Sequence, residues 1–118
     1  PGLVNKAILA SCPCELPQWR QYMGSKQPGF SAWKDSVNSV SPESVIGRIS
    51  KNTSVLVVCG EKDETTPVRF SKRYYERLRS DGVNARFVQI PGQGHEIFFS
   101  TGLDQAIDEF LGNEVDVK

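Results

Sequence analysis

Histidine is almost missing from this sequence: His95 is the only one in 118 residues. Cysteine is scarce and odd in number, with Cys12, Cys14 and Cys59. Cys12-Pro13-Cys14 places one residue between its thiols, where a redox or zinc hairpin needs two. With so few ligands no metal site is expected, and the three thiols read as reduced, as in a cytoplasmic protein. No apolar run approaches the roughly 18 residues of a membrane span, and no signal peptide is visible, so no membrane partner is expected. An excess of one charge is lacking as well. The 14 Lys and Arg balance 14 Asp and Glu, which removes the electrostatic basis for nucleic-acid binding. No Gly-x-Gly-x-x-Gly or P-loop follows an apolar run, which argues against a nucleotide-binding domain and leaves no cofactor implied. The chain opens on Pro1 rather than methionine, which suggests a processed chain or part of a longer one.

What is present fits one globular domain over residues 1–118, with 38% hydrophobic residues. Residues 4–11, 55–59 and 85–90 are short apolar runs closed by proline or glycine, the pattern of strands covered on both faces. Residues 66–80 and 101–111 carry helical spacing. In the first, Thr66 caps and Pro67 opens the helix, and Val68, Ser71, Tyr75 and Leu78 share a face. Arg69, Lys72, Arg73, Arg77 and Arg79 form its solvated side, and Asp81-Gly82 stops it. In the second, Thr101 caps and Leu103, Ala106, Ile107, Phe110 and Leu111 line one side; Gly112 ends it, leaving 113–118 as a frayed tail. A short helix begins at Ser41-Pro42. Between the first strand and that helix lies a cap-like or lid-like segment, 12–41, with one or two short helices near 15–23 and 31–38. It holds both tryptophans, Trp19 and Trp33, which are the candidate substrate-binding residues. Strands alternating with helices predict an α/β fold, a three-stranded parallel sheet with flanking helices.

In a parallel sheet, neighbouring strands deliver their C-terminal loops to one edge. The second strand ends in Gly60-Glu61-Lys62-Asp63. The third ends in Pro91-Gly92-Gln93-Gly94-His95. Asp63 and His95 can therefore meet, although 32 positions apart. A carboxylate on one imidazole nitrogen is what lets the other nitrogen take a proton from a hydroxyl. Glu61, Glu64 and Glu96 are the competing acids. Asp63 is favoured because it lies just beyond the strand end, whereas Glu96 adjoins His95 on a tight turn.

These two loops, with Thr66-Pro67-Val68 after the first, resemble the acid and histidine loops of α/β-hydrolases. Ser41-Pro42-Glu43-Ser44 and the helix end at Leu78 to Gly82 are similar to the prolyl-oligopeptidase-like and esterase branches. The resemblance covers roughly residues 4–111. It implies that the three strands are the last three of that fold, and that Asp63 and His95 belong to a Ser-Asp-His triad. Members carry the serine in a Gly-x-Ser-x-Gly elbow before the acid and histidine. No such elbow exists here, and Gly29-Phe30-Ser31-Ala32-Trp33 is the nearest approach.

The expected function is thus the C-terminal portion of a serine hydrolase acting on esters or peptide-like acyl compounds, inert alone. The first strand would need a neighbour, either an upstream portion of the same protein or another copy in a homo-oligomer. The alternative is a non-catalytic binding or scaffold domain using the aromatic 12–41 segment.

Overall fold

The computed structural model describes residues 5–26, 42–97 and 100–115. Strand β1 (Lys6–Ala10) leads to helix α1 (Leu16–Lys26), a 3₁₀ helix (Pro42–Arg48), β2 (Ser54–Gly60), α2 (Val68–Ser80), β3 (Asn84–Ile90) and α3 (Thr101–Val115). The strands lie in the order β1-β2-β3, all parallel. The register sets Ala7 beside Val55 and Val55 beside Ala85. The α/β reading of the sequence therefore holds. Trp33 and the helix expected at 31–38 lie outside the described residues.

β2 is central, and its side chains alternate between two cores. Val55 and Val57 face Tyr74 and Leu78 of α2 together with Ile46 of the 3₁₀ helix. Leu56 and Val58 face the other way, onto Leu103, Ala106 and Phe110 of α3. Residues 55 to 60 are all buried, which explains why this run shows no polar alternation. With α2 and α3 on opposite faces, the loops after β2 and β3 are left clear at one edge.

Several boundaries differ from the sequence expectation for identifiable reasons. The buried face of α2 is Phe70, Ser71, Tyr74 and Leu78. Tyr75 is half-buried and stacks on Phe87 at 5.6 Å, and Val68 sits at the rim. Pro67, not Thr66, occupies the N-cap of α2, and since proline has no side-chain acceptor there is no side-chain cap bond. The α3 cap comes from Ser100, whose Oγ accepts from the Leu103 amide at 3.3 Å, and not from Thr101. Gly112 does not end α3, which runs on to Val115 into the expected tail. The end of α2 is as expected. Gly82 takes φ 83°, its amide reaches the Arg79 carbonyl, and the Val83 amide reaches that of Leu78, a Schellman closure.

Cys12 and Cys14 are joined in a disulfide, with Cα atoms 5.0 Å apart, which corrects the expectation of three reduced thiols. The chain doubles back here because Ser11 and Cys14 both adopt left-handed φ, 54° and 60°. Cys59 is free and buried. Among the described residues no helix is long and apolar enough to cross a membrane. Among the same residues no group of three or more His, Cys, Asp or Glu could hold a metal ion.

Candidate functional site

The loops after β2 and β3 are held together through their backbones. The Glu61 amide donates to the Ile90 carbonyl at 3.0 Å, and the Lys62 amide to that of Gln93 at 2.8 Å. Glu61 adds its side chain, accepting from the Gly92 amide at 3.0 Å. Gly60 lets the loops approach this closely, since a Cβ there would overlap the carbonyl oxygens of Gln93 and Gly94.

On this frame Asp63 turns inward. Its side chain is wholly buried, whereas that of His95 is 41% exposed. Asp63 Oδ1 accepts from the backbone amides of Thr65 and Thr66, at 2.9 and 2.7 Å. Oδ2 accepts from the Thr66 hydroxyl at 2.8 Å and lies 2.8 Å from His95 Nδ1. Both carboxylate oxygens are thus satisfied by short bonds, as burial of a charge requires. The contact with His95 uses Nδ1. With that nitrogen as donor to the carboxylate, Nε2 carries a lone pair and is free to accept a proton.

The two residues singled out from the sequence therefore meet, and the competing acids are otherwise engaged or turned away. Glu61 holds the histidine loop, while Glu64 and Glu96 are exposed. Trp19 lies on α1 with its indole N–H on the Thr65 carbonyl at 2.7 Å. Tyr22 and Lys26 of the same helix reach the Glu64 carbonyl. Helix α1 is thereby docked on the acid loop.

Sequence reasoning missed two participants. Thr66 reads as a helix cap, but its hydroxyl serves Asp63. The signal was present in the three-residue spacing Asp63 to Thr66, the span of a local side-chain turn. Ser11 reads as the last residue of a strand, yet its Oγ donates to the His95 carbonyl at 3.0 Å. Only the left-handed turn at Ser11 brings it there, and nothing in the local pattern announces that turn.

The Cys59 thiol lies behind the acid loop. Burial pushes its pKa up from the ordinary 9.0 to about 11; the nearby Ser71 hydroxyl offsets part of this, and the Asp63 charge adds to it. It is held as a neutral thiol, unsuited to serve as a nucleophile at neutral pH.

Comparison with known proteins agrees with this geometry. A family model described as TAP-like protein, an α/β-hydrolase family, matches residues 17–114. Est1E from Butyrivibrio proteoclasticus superposes over 97% of this chain and 52% of its own, with TM-score 0.71 and 17% identity. The acylaminoacyl peptidase of Pyrococcus horikoshii gives 0.65 and 11% identity over 92% of this chain and 19% of its own. Thermogutta terrifontis esterase 2 gives 0.66 and 16% identity over 96% and 41%. At these identities the likeness is one of fold. No curated protein matches. The chain thus spans about half or less of each of these three structures.

Proposed function

Because this chain belongs to the TAP-like family of α/β-hydrolases, we propose that it supplies the acid and the base of a serine hydrolase. The observation that carries this reading is the 2.8 Å contact between His95 Nδ1 and the buried Asp63 Oδ2. The serine comes from outside this chain, from an upstream portion of the same protein. Asp63 holds the proton on Nδ1. Nε2 then takes the proton of the serine hydroxyl as its oxygen attacks the acyl carbon. As the tetrahedral intermediate collapses, the bond to the leaving group breaks and Nε2 returns the proton to it. Water repeats the sequence in reverse roles and releases the acid. The oxyanion donors also come from outside the chain. The substrate class is an ester, thioester or peptide-like acyl compound.

The test is turnover of a short-chain nitrophenyl ester by an assembly containing the segment that bears the serine. His95→Ala should lower kcat by roughly a thousandfold or more. Retention of most activity would exclude His95 as the base. The 118-residue chain by itself should turn over nothing.

A further inference from the structure

The tip of β1 enters the site without belonging to either loop. Ser11 is 6% exposed and holds φ at 54°, a conformation that favours glycine and is strained for a side chain. Strain of this kind persists where surrounding contacts over-determine it, and the contacts are identifiable. The Ser11 amide donates to the Val58 carbonyl at 2.9 Å. Its hydroxyl donates to the His95 carbonyl at 3.0 Å. Its own carbonyl faces the Thr66 hydroxyl at 3.3 Å. One residue therefore touches β2, the acid loop and the histidine loop.

Thr66 is 2% exposed. Its Oγ1 lies 2.8 Å from Asp63 Oδ2, 3.1 Å from His95 Nδ1 and 3.3 Å from the Ser11 carbonyl. A hydroxyl has one proton to give and two lone pairs to receive with. The carboxylate is the nearest and the only charged acceptor, so it takes the proton. The oxygen that remains can only accept, and the group facing it is Nδ1. A bare Nδ1 would set its lone pair against both Thr66 Oγ1 and Asp63 Oδ2. A protonated Nδ1 satisfies both.

We propose that Ser11 and Thr66 are positioning residues for His95: together they hold its proton on Nδ1 and its ring against Asp63, leaving Nε2 for chemistry. The proposal rests on the Asp63–His95 pairing of the preceding reading and adds the two groups that orient it.

The single histidine makes the test direct. In the uniformly ¹⁵N-labelled 118-residue chain, the two imidazole nitrogens are the only ones of their kind, and their shifts report the tautomer. With its imidazole neutral, the unsubstituted chain should be dominated by Nδ1–H. Thr66→Val should lower the ratio of Nδ1–H to Nε2–H by about tenfold, the equivalent of one hydrogen bond, and Thr66→Ser should restore it. Ser11→Gly removes the other hydroxyl while relieving the left-handed backbone, so its Tm should be unchanged or higher while the ratio still falls. A structural role alone would move Tm and leave the ratio as it was. An unchanged ratio in folded Thr66→Val or in Ser11→Gly overturns the proposal, as does failure of Thr66→Ser to restore it. Should Thr66→Val not fold, Ser11→Gly decides. If the unsubstituted chain is itself mostly Nε2–H, the pairing with Asp63 fails, and the proposal falls with it. That result is recognisable before any variant is made.

Discussion

Gly60 and Cys59 stand side by side at the end of β2, and each is constrained by what the next loop requires. At Gly60 the constraint is space. A methyl group there would meet the main-chain oxygens of Gln93 and Gly94, which cannot rotate away as a side chain could. Gly60→Ala should therefore destabilise the fold by about 1–3 kcal/mol and part the acid and histidine loops. Urea unfolding reads the first effect, and a shift of the His95 imidazole ¹⁵N signals reads the second. At Cys59 the constraint is charge. The folded state holds the thiol proton to about pH 11, whereas the unfolded chain releases it near 9.0. The folded form thus binds the proton more tightly. Its contribution is full below pH 9 and is lost as pH rises towards 11. The total is about 2–3 kcal/mol. Unfolding free energies for the native chain and Cys59→Ala, compared between pH 8 and pH 11, should converge by that amount. A difference independent of pH would show that Cys59 does not titrate in this way.

At the scale of elements, α1 is the informative case. Its spacing and composition mark a short helix near 15–23, and a helix forms at Leu16–Lys26. Its role was not readable, because it is fixed by side chains bonding to backbone far away in sequence. Trp19, Tyr22 and Lys26 all donate to the carbonyls of Glu64 and Thr65. Glu15, wholly buried at the head of the helix, has Arg73 Nε of α2 at 3.5 Å from Oε1. The helix is therefore a brace on the acid loop. Trp19→Phe keeps an aromatic ring and removes the N–H. It should cost about 1 kcal/mol and speed hydrogen exchange at Thr65 and Thr66, whose amides hold Asp63. Equal exchange in the two proteins would mean that α1 does not brace the loop. The same reasoning explains the two helix starts. Thr66 and Thr101 are good caps by residue type, yet Pro67, one position later, takes the cap of one helix, and the other is pre-empted by Ser100, one position earlier. Local preference loses to a one-residue change in helix phase.

The whole molecule is organised by one strand. β2 pairs on both sides and packs on both faces, so its amides open only with the fold as a whole. β1 and β3 each pair on one side among the described residues, and Ile8 on β1 is 38% exposed. Native-state exchange should be slowest along residues 55–59 and faster in β1, with alternate β1 amides hardly protected. Leu56→Ala, which empties the contact with Ala106 and Phe110, should cost about 2–5 kcal/mol. Uniform protection across β1 and β2 would indicate that the outer edge of β1 is covered in solution, by another copy or by further chain.

The alternation of strand and helix, the meeting of Asp63 with His95 and the likeness to α/β-hydrolases were determined by the sequence itself. Each depends on patterns repeated over many residues, or on the rule that parallel strands present their C-terminal loops at one edge. The tertiary structure alone decided the rest. It set Tyr74 rather than Tyr75 in the core, paired Cys12 with Cys14, and placed Ser11 and Thr66 around His95. These depend on angles at single residues, a left-handed φ at Ser11 above all, and on contacts between segments tens of positions apart. A residue's type limits which bonds it can make, but the partner within reach is set by how the strands are registered and how the loops are clamped.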